Sequence, residues 1–364
     1  MRMTVAHVVR RRLARQRLSS PGLGSGAEVV RLLTCVQSQE YQHALWSLGM
    51  RTAGSTYAGL QAEFDRGGFL RTHLLRPTWH FVAPQDLRWI LGLTTPRVEM
   101  RWQGVARRLG LTEVVLGRAE ELIRAALVGQ DHLARRETAR LLASDGLPAT
   151  GIPFGHLLLM IEMRGVLVNG PMVGPAHTHR LLDDVIPYEA ARDDLDRDEA
   201  LGRLAVRFFG GHGPASVTDL GRWATLTQAD VKRGIAVAGD ALESVVVDRV
   251  MQWCDPSVPA RTTTAHRAYL LPVFDELTLT SLQLPVPAVA DHPDAAVSPP
   301  TLNPHAGAVV ADGNRVGTWK RRLVDSGVEV DLRLASSLDN AARTEVYEAV
   351  LRLAAFLDRP LVRT

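Results

Sequence analysis

The sequence predicts an α+β chain: three tandem winged-helix modules, then a β-rich C-terminal region, laid out as one C-shaped chain. Three observations predict it. A single pattern, helix–helix–turn–helix followed by a two-stranded wing, can be laid on the chain three times. Beyond about residue 265 the composition shifts to Pro and Val and reads as strands, closing with an amphipathic helix. The 364 residues are enough for several domains with a sizeable buried core.

The first module, with a helical extension, is assigned residues 1–130. Its helices read at about 6–18, 27–37 and 57–66, its β-rich hairpin at 69–82, and the extension at about 84–128, which carries Trp89, Trp102, Arg107 and Arg108. The second module spans 131–190. Arg136–Leu142 and Gly155–Met163 read as helices, and Val166–Pro171 with Thr178–Leu182 as the wing, because Asn169-Gly170-Pro171 is a turn signal. A charged linker, Ala191 to Asp198, precedes the third module at 197–258. There Ser216 and Thr227 stand where N-caps belong, and Ser244–Asp248 with Val250–Trp253 reads as the wing. The C-terminal region is assigned 265–364, with a final helix at about 338–357.

Composition narrows the chemistry. No run approaches the roughly 20 apolar residues of a membrane span, and the N-terminus Met1-Arg2-Met3-Thr4-Val5-Ala6-His7 lacks an apolar signal core, so the expectation is a cytoplasmic, nucleoid-associated protein with no membrane partner. Two cysteines, Cys35 and Cys254, make no disulfide framework. The twelve histidines form no metal-ligand spacing, so no metal and no cofactor are expected. Net charge is only +3, carried almost wholly by arginine; Lys232 and Lys320 are the only lysines. A lyase step through a lysine Schiff base therefore has just two candidates.

The chemically informative stretch is Val36-Gln37-Ser38-Gln39-Glu40-Tyr41. Each amide brings an acceptor and two donors that need partners, and two amides together can hold one water in a fixed orientation. In a continuous helix positions i and i+2 do not face each other. The pair converges only if the helix ends, kinks or turns extended near Ser38. The plain alternative is two unrelated cap or surface amides.

With its surroundings the segment reads further. Leu33–Tyr41 continuing through Ala44–Arg51 resembles the catalytic segment of the AlkZ-like tandem winged-helix DNA glycosylases. Arg71-Thr72-His73-Leu74-Leu75-Arg76-Pro77-Thr78-Trp79-His80-Phe81-Val82 resembles that family's strand pair, and Gly165–Pro171 and Val316–Arg322 resemble its second wing and C-terminal β region. The resemblance spans most of the chain. It implies a monofunctional glycosylase for N-alkylated purines in double-stranded DNA, including interstrand crosslinks. It implies an enzyme that works as a monomer without metal or cofactor, with Gln37 and Gln39 as its catalytic residues. The second wing departs from the family's basic pattern: its tip is Met172–His177, leaving His177, His179 and Arg180 as its polar reach. DNA contacts are expected from these three, from His43, Arg71, His73 and Arg76, and from the cluster Lys320, Arg321 and Arg322. His80 reads as a buried histidine beside Trp79. The rival reading is a non-catalytic winged-helix regulator.

A purine alkylated at N7 or N3 is already cationic and a good leaving group. Its departure passes through an oxocarbenium-like transition state, as in glycoside hydrolysis. Little general-acid help is required, and positioning a water becomes the main task.

Overall fold

A computed structural model of the chain describes residues 3–187, 195–258, 266–293 and 306–363. The first unit runs α1 (Val5–Arg15), α2 (Gly26–Leu33), β1 (Cys35–Gln37), α3 (Tyr41–Gly49), α4 (Tyr57–Asp65), then the hairpin β2 (Leu70–Leu74) and β3 (Thr78–Val82). Ser25 caps α2 by accepting from the Glu28 N–H, and Thr56 caps α4 by accepting from the Gly59 N–H. The α2 face Val29, Val30 and Leu33 is wholly buried.

The helix expected to reach residue 37 stops at Leu33. Thr34 sits at φ 68, outside the helical region, and redirects the chain into β1. Val36 fits both a helical spacing and a strand, which is why periodicity misassigns it. Helix α3, from Tyr41 to Gly49, is an element additional to the three helices expected of this unit.

The second unit follows α5 (Pro84–Arg108). It comprises α6 (Glu113–Leu127), β4 (Leu133–Ala134), α7 (Arg135–Ser144), α8 (Gly151–Met163), β5 (Leu167–Asn169), β6 (Thr178–Leu181) and the short α9 (Leu182–Val185). Leu116, Ile123 and Leu127 of α6 share a core with Leu142, Phe154 and Leu158, so this helix packs with the second unit. The third unit is α10 (Arg197–His212), α11 (Val217–Ala224), α12 (Gln228–Ala238), β7 (Glu243–Val247) and β8 (Val250–Cys254). Ser216 and Thr227 cap α11 and α12. Of the charged linker, residues 191–194 lie outside the described residues.

The three units share one order: helix, strand, helix, helix, hairpin. In each the first strand pairs with the last. The sheets run β1-β3-β2 and β4-β6-β5, and in the third unit a bridge from Ala215 to Trp253 stands where the first strand would be.

The C-terminal region holds β9 (Ala268–Leu271), α13 (Glu276–Leu279), β10 (Gly307–Ala311), β11 (Asn314–Val324), β12 (Gly327–Leu334), α14 (Asn340–Phe356) and β13 (Leu361–Arg363). Its sheet runs β13-β12-β11-β10-β9. This sheet and α14 share one core with the first unit, joining Val29, Phe81 and Trp46 to Trp319, Val350 and Phe356. The Trp46 indole N–H donates to the Leu270 carbonyl at 2.8 Å. A Cβ on Gly49 would lie 2.5 Å from the Phe356 ring, so only glycine lets α14 approach α3 this closely. Helix α10 meets the end of α2, where the His212 ring bonds the Leu33 carbonyl at 3.0 Å. The glutamine segment thus lies where the first unit, the third unit and the C-terminal region converge.

Candidate active site

Gln37 is the last residue of β1 and stands opposite His80 of β3. Pairing continues one residue further, since the Ser38 N–H donates to the Trp79 carbonyl at 2.7 Å. The segment is therefore extended through Ser38, the geometry in which alternate side chains share a side. Gln39 follows in a bend before α3.

The Ser38 carbonyl is fixed from the other side by Arg71, which donates Nε at 3.2 Å and Nη2 at 3.0 Å. Arg71 lies over the Trp79 ring at 4.5 Å and donates Nη1 to Asn169 Oδ1 at 2.6 Å. Asn169 in turn reaches Glu162 Oε1 at 3.4 Å. Glu162 Oε2 lies 2.7 Å from His73 Nδ1 and accepts the His73 backbone N–H at 2.9 Å. Burial pushes the Glu162 carboxyl up, but His73 and His179 more than offset it and hold the group ionised. The strand bearing the glutamines is thereby braced through β2 to α8 and β5 of the second unit.

Gln37 is gripped twice. Its side-chain Oε1 accepts from Arg76 Nη2 at 2.7 Å, and its backbone N–H donates to Glu276 Oε1 at 2.7 Å. The other Glu276 oxygen accepts from the Trp223 indole at 3.0 Å. Complete burial pushes the Glu276 carboxyl up to about 7, against the opposing influence of the Gln37 N–H, Arg76 and Trp223.

Gln39 opens onto a polar cavity of about 430 Å³ that it shares with Glu40, Gln42, His43, His177 and Arg321. His43 stacks on Trp319 at 5.7 Å, and Arg321 Nη2 donates to Gln42 Oε1 at 3.0 Å. His43 Nδ1, His177 Nδ1 and Arg321 Nη1 are buried without a hydrogen-bond partner among the described residues. Burial, with Arg321 as a second cause, lowers His43 to about 4. Burial and then Arg71 lower His177 to about 4. Both imidazoles are neutral near pH 7 and hold no proton to donate as a charged acid. The cavity offers amides, neutral imidazoles, one arginine and, at its rim, the exposed Glu40 carboxylate.

The structure redistributes several expected contacts. Arg71, His73 and His179 are at most 5 % exposed, with Arg71 turned to Asn169 and both histidines to Glu162 rather than outward to a phosphate. His80 is fully buried with Nδ1 on the Thr78 carbonyl at 2.9 Å, as its position beside Trp79 suggested. Arg76 turns inward to Gln37, and its remaining edge lines a separate cavity with Arg101, Trp102 and Arg222. The second wing folds back: Met172 donates its N–H to Asp65 at 2.9 Å, and His177 sits edge-on to Tyr41 at 5.4 Å. Arg180 pairs with Asp131. Lys320 and Arg322 remain exposed on β11, with Arg322 paired to Glu329. Glu276 and Trp223 carry no local signal in the sequence, and Asn169 is marked there only as a turn residue, not as the link between Arg71 and Glu162. Glu276 is 239 positions from Gln37, and no local pattern marks it.

The family model for AlkZ-like DNA glycosylases matches residues 30–356, most of the chain and all of the segment built here. The chain belongs to the AlkZ-like DNA glycosylase family. A curated relative, the interstrand DNA cross-link repair glycosylase of Streptomyces sahachiroi, is 26 % identical over 337 residues, 88 % of each chain. The solved structure of Streptomyces sahachiroi DNA glycosylase AlkZ matches this AlkZ-like chain over 100 % of both, at a TM-score of 0.75 and 22 % identity.

Proposed function

We propose that this chain is a monofunctional DNA glycosylase that hydrolyses the N-glycosidic bond of purines made cationic by alkylation at N7 or N3, and that it also unhooks interstrand crosslinks. In this reading Gln37 and Gln39 hold the attacking water. The observation that carries it is the placement of the pair. Gln37 is fixed on a braced strand, and Gln39 lies two residues past it on the wall of a polar cavity whose histidines are neutral. The substrate leaves as a neutral base from a cation, so the site needs orientation rather than a strong acid.

The test is direct. Duplex DNA carrying N7-methylguanine is incubated with the protein and then treated with alkali. Strand breaks well above the spontaneous level are expected; breaks at that level refute the enzyme reading for this lesion. A crosslinked duplex in parallel reports unhooking as separation of the strands on a denaturing gel.

The exposed basic residues of β11 would face the phosphate backbone. Replacing Lys320 by Ala is expected to weaken binding about equally for all sequences and to lower the slope of log Kd against log salt by about 1. An unchanged slope in a fluorescence-anisotropy titration would remove Lys320 from the interface.

A further inference from the structure

The grip on Gln37 has a chemical consequence. Arginine has donors and no acceptor, so the end of the Gln37 amide facing Arg76 Nη2 at 2.7 Å is its carbonyl oxygen. The NH₂ end therefore points away from Arg76. The backbone N–H is held independently by Glu276, which is itself anchored by the Trp223 indole on its other oxygen. Main chain and side chain each have a partner of their own, Glu276 and the Arg76 guanidinium, and Gln37 is only 7 % exposed, so the amide cannot turn over without breaking its charge-assisted bond to Arg76. No comparable bond fixes the Gln39 side chain among the described residues, and it lies on the cavity wall.

We infer that the two glutamines are not equivalent: Gln37 works as a hydrogen-bond donor through Nε2, and Arg76 and Glu276 are positioning residues that lock it in that sense. This rests on the reading of Gln37 as a catalytic residue. A water that accepts from Gln37 Nε2 and donates to Gln39 Oε1 keeps one lone pair free for the sugar carbon. Two carbonyl acceptors would instead take both water protons and leave both lone pairs free. The two arrangements differ in the atom that Gln37 presents to the water, Nε2 or Oε1, and the bond to Arg76 already occupies Oε1.

Gln37→Glu separates the alternatives, because it keeps an acceptor for Arg76 and removes the donor. Single-turnover excision of N7-methylguanine by Gln37→Glu is expected to fall to within about threefold of Gln37→Ala, whereas an acceptor role predicts retained or increased rate. A second arm does not depend on placing a carboxylate beside Glu276. Arg76→Met is expected to lower kcat about tenfold with KM little changed, and Arg76→Lys, also donor-only, to restore much of the loss. In the Gln37→Ala background Arg76→Met should cost no further rate, since it acts through the amide already removed.

The outcomes divide cleanly. Full activity in Gln37→Ala overturns the proposed function of Gln37. Loss in Gln37→Ala with activity kept in Gln37→Glu overturns the donor assignment alone. An Arg76 effect that adds in full to Gln37→Ala, or that appears only in KM, overturns the positioning role in favour of a direct DNA contact or general stability.

Discussion

Gln37→Ala and Gln39→Ala are each expected to slow excision of N7-methylguanine by roughly tenfold to a hundredfold, at or below the lower end of the ~10²–10⁴ that a true general base contributes. Duplex affinity should change little, because neither amide is a cation that neutralises phosphate. The modest size follows from the chemistry. The alkylated base departs without a proton, and an amide orients water without deprotonating it. Gln37 is fixed from both sides, so its removal also leaves Arg76 without its 2.7 Å acceptor inside the fold. Gln39 has no such partner among the described residues, and its loss should be felt in the reaction alone. Single-turnover rates alongside thermal midpoints check this: both variants losing rate, with only Gln37→Ala losing measurable stability. Full rate in both variants would leave the family fold with another catalytic apparatus.

Much of this arrangement was legible in the chain because it is local. The caps at Ser216 and Thr227, the Asn169-Gly170-Pro171 turn and the final amphipathic helix are written within a few residues, and the structure places them within a turn of where they were read. The glutamine pair was legible as chemistry, since two amides two apart are unusual at the edge of a core. Its conformation was not. Val36 satisfies a helical and an extended spacing equally, and the choice is made by β3, whose Phe81 and Val82 pair with Val36 and Cys35 across more than forty residues of sequence. The arginines failed for a related reason. Arg71 and Arg76 lie on the same hairpin, in β2 and in its turn, and look alike as surface cations, yet one clamps the Ser38 carbonyl and the other the Gln37 amide. Nothing short-range separates an arginine that meets phosphate from one that buries its guanidinium on main-chain and amide oxygens. Their acceptors are assembled only by the fold, as are Asn169 and Glu276.

The second large effect concerns the element that delivers Glu276. Asp275, the N-cap of α13, and Arg51, just past α3, form an ion pair with both side chains 0 % exposed. Both Arg51 Nη atoms reach Asp275 at 2.9 Å, Ser47 Oγ donates to it at 2.7 Å, and the Leu277 N–H at 3.0 Å. Arg51 Nη2 also reaches Gln16 Oε1 at 3.0 Å, so the pair ties the end of α1 and α3 to α13. Asp275→Ala would leave a guanidinium buried without its counter-charge, a loss of about 3–5 kcal/mol in unfolding free energy. Changing both partners to apolar residues, Arg51→Met with Asp275→Leu, should recover much of it, because no uncompensated charge remains. The pH dependence has a definite sign. Burial pushes the Asp275 carboxyl up, but Arg51 and the donors around it outweigh burial and hold it below its ordinary value. Its contribution is therefore complete above the unfolded value of about 3.9 and is lost as pH falls through the lower folded value. Urea unfolding at pH 7 should show the full deficit of Asp275→Ala, and the gap to the parent protein should close as the medium is acidified below pH 4. A gap independent of pH would mean that the pair acts through packing rather than charge. Because α13 presents Glu276 to Gln37, Asp275→Ala should also lower excision under conditions where the protein is still folded, linking a buried charge of the C-terminal region to the amide proposed to orient the water.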